Sequence, residues 1–399
     1  MSKFAIVPIQ NSSFKIQKVN LTEERQMIKD MAADFTNQVV LPTANELDRK
    51  KGMIPMELRN QMAELGFFGI KIPEEMGGLG LGAFEYCLVA EELTRGWMSV
   101  GSIIARANST YDNMPQAWRE EYVPKAARGE FLIAAALSEP NVGSDLSGIS
   151  CKAELDGDEW VINGSKYWVT FADGSDAIFL MARTDTPSNP KKKHEGISAF
   201  MVHKERGQLP HNCVGTPVPK IGYFGWNTYE ISFDNCRIPK NCLIGERGQA
   251  FKLMTSGLEV ARAHTAARSI GLAQGALDVA IKYSQERVQF GRPIAKFQDL
   301  RFKIARCAAN IEASRQLMYA VCEKIDQGGR CDKEAAMVKY LAAEMSEKVT
   351  SDCLQILGGA GYTNEFPVER YWRDARLTKI FEGTSEIQLR IISDRILGR

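Results

Sequence analysis

Apolar residues along the chain follow two periods, and the switches between them divide it into three parts. Over the first third they recur every three to four positions. Met27, Met31 and Phe35 follow Thr22-Glu23-Glu24, a hydroxyl able to cap a helix with acids in its first turn. The same spacing predicts helices over 55–65, closed by Gly66, over Ala83–Thr94 and over Ser99–Ser109, while the glycines of 70–82 read as a turning loop. Near residue 136 the period drops to two. Lys152–Asp156, a turn at Gly157-Asp158, Glu159–Ile162, the pair Asn163-Gly164 and Lys166–Thr170 read as a hairpin ladder, Asn-Gly being a strong turn signal because both turn positions need positive φ. Ala177–Ala182, Ile197–Val202 and Tyr229–Phe233 add strands, and Asp185–Glu195 reads as a solvated loop. From Gln249 the helical period returns. Phe297, Leu300, Ile304, Cys307 and Ala308 form one stripe and Leu341, Met345, Val349, Cys353 and Ile356 another. The expected architecture is an N-terminal all-helical domain (1–135), a middle antiparallel β domain (136–245) and a C-terminal four-helix bundle (246–399).

Composition narrows the partners. Fifty basic against 49 acidic residues leave +1, which speaks against a nucleic-acid binder. Apolar runs such as Phe131–Leu137 fall short of the roughly 20 residues of a membrane span. The N-terminus, with Lys3 as its basic residue before Asn11, Ser12 and Ser13, lacks the apolar core of a secretory signal. Nine cysteines without a Cys-x-x-Cys pair and four dispersed histidines argue against a disulfide scaffold and against a protein-bound metal. These readings point to a cytoplasmic protein. No Gly-x-Gly-x-x-Gly follows a strand, so a tightly held nicotinamide is disfavoured.

Three stretches carry candidate chemistry. Ala136-Leu-Ser-Glu-Pro-Asn-Val-Gly-Ser-Asp145 offers backbone N–H groups, Gly143 and the hydroxyls of Ser138 and Ser144 to a flat or phosphorylated ligand, or is a plain turn. Trp168 and Thr170, two apart on a strand, share a face: an indole over a planar ring, or a core aromatic. Near the C-terminus, Glu382 lies between Phe381 and Gly383-Thr384. Partial desolvation there would raise its pKa towards general-base values, whereas a place at a helix N-terminus would pull it down.

These segments carry a resemblance. Leu137-Ser-Glu-Pro-x-x-Gly-Ser-Asp145, Glu286-Arg-Val-Gln-Phe-Gly-Arg292, Gln355-Ile-Leu-Gly-Gly-x-Gly361, Arg373-Asp-Ala-Arg376 and Phe381-Glu-Gly-Thr-Ser385, in this order, resemble the acyl-CoA dehydrogenase family of flavoproteins over about 22–399. The resemblance implies FAD, an acyl-CoA substrate, electron-transfer flavoprotein as acceptor and a homotetramer built as a dimer of dimers. It implies that Ser138, Gly143, Ser144, Trp168 and Thr170 hold the flavin, with Thr384 and Glu386 beside it. Arg287, Phe290 and Gln298 of a neighbouring subunit, with Gln355 and Gly359, would grip the adenosine half. Glu382 matches the catalytic base, and Ala261 stands where some relatives keep theirs. Met98, Ser102, Arg106, Ser144, Glu259, Arg262, Phe381 and Gly383 match the substrate region.

The expected reaction is α,β-dehydrogenation of a short or modified acyl-CoA. The alternative is a dicarboxylic, aromatic or sulfinate-bearing acyl chain read by Arg106, or a non-oxidative desulfination on the same fold. Relatives acting on glutaryl-CoA carry their carboxylate-binding arginine where this chain has Met98, and Arg106 has a bland reading too, an ion pair with Asp112 or Glu120. Phe224 and Trp226 replace the usual Arg and Ser and either reshape the approach to the flavin or repack a loop. Two other classes are weighed: an acyl-CoA oxidase, whose chains are much longer, and a non-catalytic binding protein.

Overall fold

The computed structural model describes residues 21–108, 111, 113–187, 189 and 191–398. The N-terminal signal reading and Asp112 lie outside these. Thr22 caps α1 (Glu23–Phe35) by accepting from the Arg25 N–H at 3.2 Å. A π turn (Thr36–Val40) leads into α2 (Leu41–Leu47), and α3 (Met56–Glu64) follows. The N–H groups of Ala83 and Phe84 at the start of α4 (Ala83–Gly96) donate to Asp326, so this helix is capped by the C-terminal region. The expected helix over 99–109 is shorter: α5 spans Met98–Ile103 and tightens to a 3₁₀ turn over Ile104–Arg106. A helix absent from the sequence reading, α6 (Gln116–Ala127), buries only Val123, Ala126 and Ala127 and so sets no clear period.

The sheet contains β1 (Ile133–Ala136), β2 (Lys152–Asp156), β3 (Glu159–Thr170), β4 (Ala177–Arg183), β5 (Ile197–His203), β6 (Cys213–Pro217), β7 (Thr228–Pro239) and β8 (Leu243–Ile244) in the order β6-β7-β3-β2-β4-β5-β8. It is mainly antiparallel, but β1 runs parallel to β4, and β2 meets β4 in one parallel pair. The hairpin expected at Asn163-Gly164 does not form. The chain continues through it as one strand, with bulges between Ile162 and Gly164 and between Lys166 and Val169. Two causes act together: β7 pairs with both halves of β3, and Gly164 (φ 135°) approaches Cys151 so closely that a Cβ would come within 2.8 Å of its Cα.

The bundle is built on α7 (Ala250–Glu286), followed by a short hairpin of β9 (Val288–Gln289) and β10 (Arg292–Pro293), then α8 (Gln298–Asp326) and α9 (Asp332–Leu357). The short α10 (Val368–Thr378) lies against α7 and α9, and α11 (Ser385–Leu397) runs along α9. The N-terminal and C-terminal helices share one apolar core. Their contact is close where α4 crosses α7: a Cβ on Gly271 or Gly275 would meet the carbonyls of Glu91 at 2.3 Å or Arg95 at 2.6 Å. This crossing fixes the α7 face that carries Thr265 and Arg268. No helix of the described residues is long and apolar enough to cross a membrane.

Candidate active site

Glu382 occupies the turn between α10 and α11 with φ 53°, followed by Gly383 at φ 87°. Left-handed backbone at a non-glycine residue costs on the order of 1 kcal/mol or more, and neighbouring bonds hold it. Lys339 Nζ and Gln388 Nε2 both donate to the Gly383 carbonyl, at 2.6 and 3.0 Å, and Thr384 caps α11 by accepting from Ile387 N–H at 3.3 Å. The result turns the Glu382 carboxylate towards α7.

There it meets Arg268, whose Nη2 donates to Oε2 at 2.5 Å, and the Thr265 hydroxyl, which donates to the same oxygen. Burial pushes the Glu382 pKa up, but the Arg268 guanidinium and hydrogen bonds from Thr265 and Arg268 outweigh it and hold the carboxyl at about 2. The pKa rise expected from desolvation therefore does not occur in this state, and the cause is a residue the sequence reading passed over. Arg268 is 1 % exposed, donates Nη1 to Ser102 Oγ at 3.0 Å and lies 4.8 Å from the Phe381 ring centre. His264, stacked on Tyr86 at 4.7 Å, is pushed down to about 3 by burial and by Arg268, so it is neutral at pH 7.

Arg106 comes to the same place. Its guanidinium carbon lies 5.3 Å from the Trp226 ring centre, and its pKa is lowered by burial and influenced by Tyr223, Glu382, Arg268 and Tyr86. Among the described residues it makes no ion pair, and its Nε is shielded from water without a hydrogen-bond partner. Glu120, one expected partner, accepts from Gln116 instead. Trp226 is 2 % exposed and Tyr223 5 %, packed edge to face at 5.1 Å. The Tyr223 N–H donates to Asp374 at 2.6 Å, so the Arg373-Asp-Ala-Arg376 stretch anchors the loop bringing Trp226 to Arg106. Phe224 instead is half-buried between Lys51 and Arg373. Of the other substrate candidates, Ser102 reaches the site through Arg268, whereas Met98 is sealed in the core. Glu259 accepts from the Cys331 N–H at the start of α9, and Arg262 is buried nearby, facing Asp332 and Glu259.

The Ser138–Asp145 loop rests on a buried pair. Glu139 accepts from Ser150 N–H and Oγ, from Cys151 N–H and from Lys166 Nζ at 2.7–2.9 Å, and Lys166 also donates to the Leu137 carbonyl. Tyr167 N–H donates to the Ser138 carbonyl at 2.9 Å, joining loop to β3 at the second bulge. Trp168 sits in that bulge at φ 63° and is 57 % exposed, so it is not a core aromatic. On the same strand Thr170 is hydrogen-bonded to Thr228 at 3.0 Å, and the loop joined to it carries the exposed Gly143 and Ser144. An uncovered indole next to hydroxyls and a glycine with open space above its Cα suits a flat aromatic cofactor such as a flavin. Arg287, Phe290 (94 % exposed) and Gln298 stand out around the β9–β10 hairpin, Gln355 and Gly359 at the end of α9, and Glu386 on α11. Among the described residues no bond links these to Trp168.

Three family profiles cover this arrangement end to end: Acyl-CoA dehydrogenase N-terminal domain at 22–130, middle domain at 134–236 and C-terminal domain at 248–397. The chain belongs to the acyl-CoA dehydrogenase family. As a member it is an FAD-binding oxidoreductase acting on the CH–CH group of an acyl-CoA thioester. It is 40 % identical over 387 residues to the (2S)-methylsuccinyl-CoA dehydrogenase of Cereibacter sphaeroides, covering 94 % of this chain and 70 % of that one. It is 37 % identical to the 3-(aryl)acrylate reductase of Clostridium sporogenes, covering 94 % and 99 %. Glutaryl-coenzyme A dehydrogenase in its glutaryl-CoA complex superposes with a TM-score of 0.88 at 34 % identity, covering 95 % and 96 %. The expectation of a cytoplasmic protein is corrected by further family members, the short-chain-specific acyl-CoA dehydrogenases of rat, mouse, human and cattle at 36–37 % identity, which are mitochondrial.

Proposed function

We propose that the protein catalyses α,β-dehydrogenation of a short acyl-CoA whose acyl chain ends in a carboxylate, with Arg106 receiving that carboxylate and Glu382 serving as base. The observation that carries the reading is the unpaired Arg106 beside Glu382. A guanidinium half out of water with no counter-ion is costly unless a ligand supplies one. Arg106, Arg268 and Lys339 all face the carboxylate of Glu382, an excess of positive charge that favours binding a distal carboxylate. Bidentate Arg–carboxylate pairing would also fix the acyl chain in register. Relatives acting on methylsuccinyl-CoA and glutaryl-CoA, both of which end in a carboxylate, support the class. Met98, where glutaryl-specific relatives keep their arginine, puts the receptor on the other end of the same segment.

FAD, when bound against Ser138, Trp168 and Thr170, supplies the acceptor for the hydride that leaves C3 of the substrate with its electron pair. The protein does the rest. Glu382 takes the C2 proton as the C2=C3 double bond forms, and its backbone N–H would donate to the thioester oxygen as enolate charge develops. Tyr223, Trp226 and Phe381 wall the acyl side. Electron-transfer flavoprotein as acceptor and the dimer-of-dimers tetramer belong to the same reading. The test is bleaching of bound flavin by a panel of succinyl-, methylsuccinyl-, glutaryl-, butyryl- and 3-phenylpropionyl-CoA. A preference of tenfold or more for the carboxylate-ended compounds is expected. A preference for the phenyl compound would assign the Tyr223–Trp226–Phe381 wall to an aryl group instead, and conversion of a sulfinate-bearing acyl-CoA without bleaching would indicate desulfination.

A further inference from the structure

Arg268 has no place in the reaction just described, yet it grips the base. It lies inside α7 in a run of small residues, Ala263, Ala266, Ala267, Gly271 and Ala273, where a fully buried charge is expensive. Its guanidinium forks. Nη2 is on Glu382 and Thr265, while Nη1 is on Ser102, one turn before Arg106 on the same segment. The fork thus spans the space between the base and the arginine assigned to the substrate's distal carboxylate.

We propose that Arg268 is a positioning residue that gates the base: it holds Glu382 in the free enzyme and is drawn off by the distal carboxylate of the substrate, which binds between Arg106 and the Nη1 arm. Specificity for the diacid then lies in the chemical step as well as in binding, because an acyl chain without a distal anion leaves Arg268 on the base. The inference rests on the carboxylate-ended reading above. It is supported by the low proton affinity of Glu382 while Arg268 is on it, which opposes uptake of the C2 proton. Exchange of one carboxylate for another keeps the buried guanidinium paired throughout, so the switch never exposes a lone charge.

The groups facing Glu382 are Arg268, His264 and Thr265 from α7, Tyr86 from α4, Arg106 from the turn after α5, Tyr223 from the loop before β7 and Lys339 from α9. In the wild type His264 is neutral above pH 5, and Lys339, brought down to about 8 by burial, keeps its charge below pH 7, so pH 5–7 isolates the carboxyl; because Arg268 helps to hold His264 down, the series is also run on a His264→Gln background, where an acid limb belongs to Glu382. In that window kcat/KM for butyryl-CoA is measured on the FAD-loaded wild type, Arg268→Gln and Arg268→Lys. The wild type is expected to be flat. Arg268→Gln is expected to show an acid limb, to oxidise butyryl-CoA about tenfold faster and a carboxylate-ended substrate about tenfold slower, and Arg268→Lys to restore the wild-type pattern. A second measurement needs no variant and no turnover. Calorimetry at pH 5.5 in two buffers of different ionisation enthalpy should find proton uptake when wild type binds a 3-thia dicarboxylic acyl-CoA and none with 3-thiabutyryl-CoA. Absence of a limb in Arg268→Gln, or equal uptake with both analogues, overturns the gate and leaves the Arg106 assignment standing. Failure of the wild type to prefer any carboxylate-ended substrate overturns that assignment and the gate with it.

Discussion

Two cation–carboxylate pairs lie at the candidate cofactor loop and the candidate base, and they are built on opposite plans. Under the Ser138–Asp145 loop, Lys166 and Glu139 are both buried and held by several bonds: Glu139 accepts from four donors, and Lys166 donates to Glu139 and to the Leu137 carbonyl. At the turn after α10, Arg268 from α7 is buried but Glu382 is 38 % exposed and sits on strained backbone, and a second arginine facing it, Arg106, makes no ion pair among the described residues. A buried pair committed to its own loop fixes that loop and has little to offer a ligand. An unbalanced cluster is poorly suited to stabilising the fold and well suited to binding an anion.

The comparison can be broken at either end. The largest effect belongs to the open pair. Glu382→Gln removes the proton acceptor, and flavin reduction by substrate should fall by about 10²- to 10⁴-fold with FAD retained, as read by stopped-flow absorbance; reduction within tenfold of wild type would remove Glu382 from the chemistry. At the closed pair the expected loss is in stability. Lys166→Met strands the Glu139 carboxylate in the core, which should cost about 3–5 kcal/mol in denaturant unfolding of the holoenzyme. Adding Glu139→Leu should recover part of that, because a buried pair is replaceable by packing when both partners leave together.

How far these plans could be read in the residues differs between them. Glu382 is legible because Phe381-Glu-Gly-Thr384 is a local signal. Its surroundings are not: Arg268 lies more than a hundred positions away and arrives only because Gly271 and Gly275 let α7 settle on α4. The available sign was an arginine in a run of alanines and glycines. Arg106 is visible in the sequence as a possible reader of an acidic acyl chain, but whether it is paired depends on Trp226 and Tyr223 folding back from beyond residue 220. The period of two located the sheet correctly, whereas Asn163-Gly164 misled because a local turn preference loses to a partner strand as long as β7. Trp168 was left between core and cofactor, since alternation gives its face but not what covers that face.

A smaller, selective loss is expected at the unpaired arginine. Charge-assisted pairing with a carboxylate contributes about 1.5–3 kcal/mol, so Arg106→Ala should reduce kcat/KM for the carboxylate-ended substrate by roughly 10- to 150-fold. For butyryl-CoA it should change by less than about threefold. Equal losses on both would make Arg106 a packing partner of Trp226 and return the open cluster to a structural role.

The smallest effect tests whether the open pair supports the fold at all. Glu382 has a folded pKa near 2, below the roughly 4.3 of an unfolded glutamate. A depressed carboxyl stabilises the folded state above the unfolded value and loses that contribution as pH falls from about 4.3 towards 2. Because the carboxylate faces water, the contribution at pH 7 is about 1 kcal/mol or less after screening. Removing Arg268 also removes a buried charge and leaves Glu382 the neighbouring Arg106. Arg268→Gln should therefore unfold within about 1 kcal/mol of wild type at pH 7, and any gap should narrow further below pH 4. A loss at pH 7 as large as that of Lys166→Met would mean that the two pairs share one structural role, and the contrast between them would fail.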